Sequence, residues 1–243
     1  MQLDENIVPY KRVMIKISGE MLGGHKGCGV DHVVASDVAR KIADVRAVVP
    51  TVCLVVGGGN ILRGCDSEHS SMERVSSDHA GMLATIINAI VLESALRSLN
   101  VPAVVLSALP VDLVCQPYTH RGALQACNEG NVVIFAGGIG SPFFSTDTTA
   151  VIRALGMKCD VFVKATHVDG IYSDDPKKCA NAERYATISY SDVIARGLNV
   201  MDATAVLMAR DNGLRTLVCS LSDDDGLVSI LQGKGKFTIL QEN

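Results

Sequence analysis

The chain has 243 residues, of which 48% are hydrophobic and 20% charged, so it is neither disordered nor of low complexity. Its 22 Lys and Arg against 26 Asp and Glu give a net charge of −4, which argues against a protein that coats nucleic acid. A small anionic ligand stays compatible with this balance, because a few directed lysines and backbone N–H groups suffice to bind one.

Short apolar runs alternate along the chain with amphipathic segments. The runs are rich in Val, Ile and Leu, and their nearly continuous apolar character is typical of parallel strands covered on both faces. We predict strands at Val13–Ile17, Val52–Val56, Val101–Leu106, Val132–Phe135, Val161–Lys164 and Thr216–Cys219. Helical patterns lie between them, at Ala35–Val49, Asp78–Leu99, Tyr118–Glu129, Thr146–Leu155, Ser189–Ala195 and Asp202–Asn212.

Helix ends carry their own signals. Ser36 and Asp37 are candidate N-terminal caps of the first helix, and glycines follow the ends of several later ones. The β-α-β alternation predicts an α/β fold, an open αβα three-layer sandwich with a mostly parallel sheet. We expect one domain, residues 1–243, with two lobes that share one continuous sheet. The polar segment 170–183 is predicted to be a surface loop or a hairpin over a ligand.

The eight cysteines are scattered, with no Cys-x-x-Cys pair and no histidine in a zinc-like pattern. We expect them to be small buried hydrophobes in a reducing compartment, and we expect no metal site built from protein side chains. Residues 1–11 are polar and acidic, unlike a secretory signal, and the apolar stretches fall short of a membrane span. A cytoplasmic protein, bound to neither membrane nor nucleic acid, is the expectation.

Three glycine-containing loops follow predicted strands, at the strand ends where parallel sheets bind ligands. The first is Lys16–Glu20, where a lysine can meet phosphate; a surface lysine is the alternative. The second, Gly57–Gly64, opens with three glycines that let backbone N–H groups approach an anion, although glycines of a tight turn would look the same. The third, Gly137–Asp147, leads into a helix that Thr146 and Thr149 are candidates to cap.

Several common motifs are absent from the sequence. There is no G-x-x-x-x-G-K-[ST] loop, and Leu62 stands where a dinucleotide-binding loop has its third glycine. The protein-kinase motifs and the G-x-S-x-G nucleophile elbow are also missing.

Six segments together resemble the bacterial uridylate kinases, a branch of the amino acid kinase family. They are residues 10–20, with the run Lys-Ile-Ser-Gly-Glu, residues 57–64 with the glycine triplet, 78–85 (DHAGMLAT), 138–147 (GIGSPFFSTD), 164–170 (KATHVDG) and 200–202 (VMD). The first two occur across the wider family, whereas the third and fourth are narrower and select UMP. The resemblance runs from about residue 10 to the end of the chain.

The resemblance implies ATP and UMP as substrates, Mg²⁺ with the ATP, and pyrimidine nucleotide biosynthesis as the setting. It places ATP against Lys16, Ile17, Ser18, Gly19, Gly59, Arg63, Thr166, Tyr172 and Asp175. It places UMP against Gly58, Asp78, Ile139, Gly140, Ser141, Pro142, Phe143, Phe144, Ser145 and Thr146. An acceptor lobe would span residues 10–160 and an ATP lobe residues 161–243. It also implies a homohexamer, with UTP as a candidate feedback inhibitor.

The expected catalytic residues are Lys16, Lys164 and Asp202. Two lysines at strand ends can supply positive charge to a phosphoryl group in transfer from two sides, and no general base is required. Asp202 would orient the lysines, although from the residues alone a helix N-cap is an equal reading. By the same residue-level reading Phe143 and Phe144 would be core residues, whereas the resemblance places them at the acceptor.

Two groups of departures from the family pattern matter, one in the acceptor loop and one at the positions linked to GTP. Ile139 stands where many homologues have threonine, and Ser141 replaces a commoner asparagine, so the hydrogen bonds to the acceptor are expected to differ. Glu93, Val104 and Asn131 stand where some homologues carry the basic residues that bind the activator GTP. We therefore expect weak or absent activation by GTP.

Two alternatives differ in class from a UMP kinase. A sister kinase acting on a carboxylate or carbamate would lack the Asp78-His79 and Pro142–Phe144 segments that are present here. A non-catalytic sensor of UTP or ATP is expected to have lost the lysine pair or the aspartate, and Lys16, Lys164 and Asp202 are all retained.

Overall fold

A computed structural model describes residues 9–66, 72–174, 176, 178, 179, 181–222 and 226–242. Nine strands occur in this part of the chain: β1 Arg12–Ile17, β2 Thr51–Val56, β3 Ala103–Ser107, β4 Gln116–Pro117, β5 Val132–Ala136, β6 Val161–Thr166, β7 Thr187–Ile188, β8 Thr216–Ser220 and β9 Phe237–Leu240. They form one sheet in the order β4-β3-β5-β2-β1-β6-β8-β9-β7, in which only the β8–β9 pair is antiparallel.

Helices cover both faces of this sheet. In chain order they are α1 Gly19–Leu22, α2 His32–Val48, α3 Gly59–Asp66, α4 Arg74–Ser98, α5 His120–Asn128, α6 Thr146–Gly156, α7 Tyr190–Ala195, α8 Ala203–Asp211 and α9 Gly226–Leu231, with a short 3-10 helix at Gly24–Lys26. One hydrophobic core includes residues of α1, α2, α4 and α9, and the other residues of α5, α6, α7 and α8. The α/β sandwich expected from the sequence is confirmed.

Alternation along β1 shows how the two cores divide the sheet. Val13, Ile15 and Ile17 belong to the core with α2 and α4, whereas Met14 belongs to the core with α6 and α8. Because successive strand residues point to opposite faces, the side chain of Lys16 lies on the same face as Met14. This alternation places Lys16 on the α6 side of the sheet.

Helix α4 is, among the described helices, the only one long and apolar enough to cross a membrane. Its buried residues Ile86, Ala89, Leu92 and Leu96 belong to the first hydrophobic core, so its apolar character is that of a helix packed on a sheet. The sequence pattern predicts this helix from residue 78, and the structure begins it four residues earlier, at Arg74.

Two capping predictions are wrong. The first long helix starts at His32 and not near Ser36, and the Asp31 carboxylate accepts hydrogen bonds from the backbone N–H groups of Val33 and Val34. Helix α6 is capped by the hydroxyl of Ser145 and not by a threonine. In both cases the true cap lies upstream of the predicted residue, where the chain is still extended.

The cysteines that the structure describes are free thiols. Cys53, Cys127 and Cys219 are buried, and Cys28, Cys115, Cys159 and Cys179 are partly exposed. The expectation of buried hydrophobes therefore holds for Cys53, Cys127 and Cys219, whereas the other four described cysteines lie nearer the surface than expected.

Candidate active site

The glycine loops meet at one edge of the sheet. β5, β2, β1 and β6 are consecutive parallel neighbours, so their carboxyl ends lie side by side. The loop Lys16–Glu20 continues β1, the glycine triplet follows β2, and the loop from Gly137 follows β5. This edge is where ligands bind in open parallel sheets.

The two lysines are direct neighbours across strands. Lys16 of β1 and Lys164 of β6 are paired in the parallel register, which places both side chains on the α6 face at the same height. Asp147, in the first turn of α6, lies between them. Its Oδ1 is 2.9 Å from the Lys16 Nζ, and its Oδ2 accepts a hydrogen bond from the Lys164 Nζ. The three side chains are only 11 to 13% exposed.

Burial and charge act in opposite directions on this cluster. Burial alone would raise the pKa of the Asp147 carboxyl, but the two ammonium groups outweigh it and hold that pKa below its ordinary value. Burial lowers the pKa of Lys164, Asp147 opposes this shift, and the charge of Lys16 adds to it. Asp147 thus opposes the loss of the Lys164 proton that burial and the neighbouring Lys16 charge favour.

Asp202 contacts other groups. Its Oδ1 caps α8, accepting from the Ala205 N–H at 3.1 Å, and also accepts from the Thr148 hydroxyl at 2.7 Å. Its Oδ2 accepts from the Ser145 hydroxyl. We expected Asp202 to orient the lysines; the carboxylate in direct contact with them is Asp147, although the negative charge of Asp202 also favours the charged form of Lys164. Asp202 ties the start of α6 to the start of α8.

Close backbone packing explains several glycines. A Cβ on Gly19 would overlap the Gly57 carbonyl, and one on Gly58 would lie 2.8 Å from the Gly81 carbonyl oxygen of α4. The Gly57 N–H already donates to the Ile17 carbonyl at 2.9 Å. A structural requirement thus accounts for these positions, and it is compatible with an anion at the neighbouring N–H groups.

Asp78 holds the third loop onto α4. Its Oδ2 accepts from the backbone N–H of Phe143 at 2.8 Å and from the Arg74 Nε at 2.9 Å. The Arg74 guanidinium also lies 5.3 Å from the centre of the Phe143 ring. Phe143, with φ 72°, is 65% exposed, and Phe144 is 46% exposed. The core role that the residues alone predicted for the two phenylalanines is wrong, because this strained loop lies outside both cores.

The remaining acceptor-loop residues lie in the same turn. Gly140 adopts φ 85°, and Ser141 and Ser145 are exposed, while Ile139, Pro142 and Thr146 are partly buried. This mixture leaves backbone and hydroxyl groups of the loop accessible to a ligand.

The residues expected to contact ATP lie at or after the ends of β1, β2 and β6. Ile17 is buried at the end of β1, Ser18 follows it, and Gly59 opens α3. Thr166 ends β6, and the Tyr172 hydroxyl donates to the Asp169 carboxylate at 2.7 Å. Asp175 lies outside the described residues, as does the side chain of Arg63.

Asp147 is the functional candidate that the sequence reading did not single out. The signal was present, because an aspartate in the first turn of a helix after a glycine loop is placed near the ligand edge. Its position between the lysines depends on the β1–β6 register, which no local pattern reveals.

The fold and this site define a class of phosphoryl-transfer enzymes. Residues 11–220 match the model of the amino acid kinase family, and the chain belongs to that family. Within it, the chain is 46% identical over 242 residues to the uridylate kinase of Rickettsia canadensis (strain McKiel), covering 100% of both chains.

Solved structures agree with this placement. The UMP kinase from Ureaplasma parvum superposes with a TM-score of 0.90 at 36% identity, covering 96% of this chain and 99% of that one. The UMP kinase from Bacillus anthracis gives a TM-score of 0.91 at 35% identity, with 97% of each chain covered. The similarity to uridylate kinases therefore extends over the whole fold.

Proposed function

We propose that this protein transfers the γ-phosphoryl group of ATP to UMP, giving UDP and ADP, as a step of pyrimidine nucleotide biosynthesis. The observation that carries the proposal is the buried Lys16–Asp147–Lys164 cluster at the ligand edge of a fold shared with uridylate kinases. Neither a carboxylate kinase nor a sensor is favoured, because the full-length relatives are named uridylate kinases and the cluster is intact.

The chemistry needs positioning and charge. An oxygen of the UMP phosphate attacks the γ-phosphorus of ATP, the bond from that phosphorus to the β–γ bridging oxygen breaks, and ADP leaves. The attacking oxygen is already anionic, so no side chain has to remove a proton. Lys16 and Lys164 would contribute positive charge to the equatorial oxygens of the group in transfer, and Asp147 would fix their positions.

The two nucleotides would occupy opposite ends of the loop edge. ATP would lie against Lys16–Gly19, Gly59, Arg63, Thr166, Tyr172 and Asp175, and UMP against Gly58, Asp78 and residues 139–146. The junction between β1 and β6 separates strands of residues 12–136 from strands of residues 161–240. This junction supports an acceptor lobe before about residue 160 and an ATP lobe after it.

Magnesium would arrive with the nucleotide. Among the described residues no group of three or more His, Cys, Asp or Glu side chains is arranged to hold a metal ion. The acidic groups nearest the lysines are also engaged, Asp147 by two ammonium groups and Asp202 by hydroxyls and a backbone N–H. We therefore write the substrate as MgATP, with the ion on the phosphates.

The assembly and its regulation are part of the same proposal. Leu83 and Ile87, one turn apart on α4, are each 48% exposed, which supports a homo-oligomer, a hexamer by resemblance. The enzyme would work in the cytoplasm, with UTP as a feedback inhibitor. Size-exclusion chromatography with light scattering tests the assembly, and a monomer at micromolar concentration would contradict it.

The experiment is ADP release from MgATP with UMP, CMP, dUMP, acetylglutamate, aspartate or carbamate as acceptor. Turnover that is fastest with UMP supports the proposal. Turnover with a carboxylate or carbamate and none with UMP would assign a sister kinase activity. Nucleotide binding without turnover on any acceptor would assign a sensor.

A further inference from the structure

We propose that Asn60 and Asn88 are a positioning pair that holds the glycine triplet in place for phosphoryl transfer. The inference rests on the proposed function in one respect, namely that Gly58 and Gly59 contact the phosphates of the two nucleotides. Asn60 lies in the Gly57–Gly64 loop and Asn88 outside the segments that carry the resemblance, and neither is among the residues expected to contact a nucleotide. The pair is defined by its contacts alone.

The two side chains form a reciprocal amide pair in the core. Asn60 lies in the first turn of α3 and Asn88 in the middle of α4, and both are 0% exposed. The Asn60 Nδ2 donates to the Asn88 Oδ1 at 3.1 Å, and the Asn88 Nδ2 donates to the Asn60 Oδ1 at 2.7 Å. Each amide therefore donates to and accepts from the other.

The second hydrogen of each amide reaches a backbone carbonyl. The Asn88 Nδ2 donates to the Gly57 carbonyl at 2.7 Å, and the Asn60 Nδ2 donates to the Gly29 carbonyl at 2.6 Å. Because only the NH₂ group of an asparagine can face a carbonyl, these contacts fix the orientation of both amides. All four amide hydrogens are satisfied, so the pair has one arrangement.

The pair lies where two ligand loops meet. Gly57 opens the glycine triplet and donates its N–H to Ile17, at the start of the Lys16–Glu20 loop. A Cβ on Gly19 would lie 2.8 Å from the Asn60 Oδ1, so that loop packs directly against the amide. A shift of either amide would therefore move both loops relative to α4.

The pair differs from ordinary core packing in what it fixes. Two leucines would fill similar space without buried side-chain amides, but they would leave the Gly57 and Gly29 carbonyls without these donors. They would therefore not hold the glycine triplet at a fixed position relative to Lys16. Displacement of reacting groups by about 1 Å can reduce turnover by about a hundredfold. The amides are thus positioning residues, which act through the loop and touch no substrate.

The test compares Asn60→Leu, Asn88→Leu and the double variant with the wild-type enzyme. Each single change leaves one buried amide without its partner and therefore lowers the unfolding midpoint. The double change removes both amides, so part of the lost stability is recovered. We expect kcat with MgATP and UMP to fall at least about tenfold in all three, with smaller changes in both KM values. Tyr190→Phe, which removes a fully buried hydroxyl away from the loops, is the control with kcat close to wild type.

A kcat that recovers together with the unfolding midpoint in the double variant would overturn the inference, as would an Asn88→Leu kcat equal to that of Tyr190→Phe. Hydrogen exchange of the segment 54–62 gives a readout independent of turnover. We expect faster exchange in the Asn88→Leu variant and unchanged exchange in Tyr190→Phe. Absence of UMP turnover in the wild type would contradict the proposed function, while unchanged exchange in Asn88→Leu would contradict the positioning role.

Discussion

Two like charges stand side by side in a nearly dry site, and a single carboxylate makes this possible. Lys16 and Lys164 are neighbours in register, each about nine-tenths buried, and Asp147 contacts both. Removal of one charge from a buried network leaves the others uncompensated, which is more costly than the loss of an exposed ion pair. Loss of the Asp147 charge is therefore expected to affect both lysines at once.

Asp147→Asn is expected to lower kcat and to move the alkaline limb of the kcat–pH profile to lower pH. Burial already depresses the pKa of Lys164, and Asp147 opposes that shift. Without the carboxylate the pKa of Lys164 falls further, so Lys164 loses its proton at a lower pH than in the wild type.

The matched control is Asp37→Asn, because Asp37 is 52% exposed and pairs with Arg40 at the surface. Its profile should coincide with that of the wild type. An alkaline limb that stays in place in Asp147→Asn would show that Lys164 does not depend on this carboxylate.

Asp78 leads to a prediction about the sugar of the acceptor. If Asp78 accepts from ribose hydroxyls, loss of the 2′-hydroxyl costs about 1–3 kcal/mol, which lowers kcat/KM for dUMP about 5- to 150-fold below that for UMP. Asp78→Asn should reduce this discrimination against dUMP. Equal kcat/KM for the two acceptors in the wild type would leave Asp78 only its observed role of holding the Phe143 loop.

At the scale of elements, the helix N-caps show the clearest difference between the prediction from the sequence and the structure. Asp31→Ala is expected to destabilise the protein by about 0.5–2 kcal/mol, because two N–H groups at the start of α2 lose their acceptor. Ser36→Ala, at the position that the sequence pattern favoured as a cap, should be nearly neutral. Denaturant unfolding of both variants measures this, and a larger loss for Ser36→Ala would place the cap where the pattern did.

The strands of the ligand edge could be predicted because they are buried on both faces and read as continuous apolar runs. β4 and β7 have two residues each and carry no such signal, and the four residues of β9 alternate in burial at the antiparallel side of the sheet. The lysines were found from their positions at strand ends. Asp147 and the Asn60–Asn88 pair were not, because their roles arise from the packing of elements far apart in sequence.

For the whole molecule, the departures from the family pattern at Glu93, Val104 and Asn131 bear on activation by GTP. Arg97, one turn after Glu93, pairs with it at 2.9 Å and donates to the Ala103 carbonyl at 3.0 Å. Arg46, beside Asn131, donates to the Gly130 carbonyl at 3.3 Å. Val104 is buried, and the Asn131 amide donates to the Ala126 carbonyl at 3.2 Å. None of these groups offers a free positive charge to a triphosphate.

GTP is therefore expected to leave the rate with UMP and MgATP nearly unchanged at low micromolar concentration. Initial rates with and without GTP measure this, with ITP as a control for a non-specific triphosphate effect. A several-fold activation by GTP alone would require a site built from residues other than these.

The most direct measurement of the central claim follows the phosphorus itself. MgATP labelled with ³²P at the γ position is incubated with UMP and the protein, and the nucleotides are separated. The account predicts that the label appears in UDP, at its β-phosphate, and that Lys164→Met abolishes this transfer. Label that stays in ATP, or passes only to inorganic phosphate, would contradict the assignment of the lysine cluster to phosphoryl transfer onto UMP.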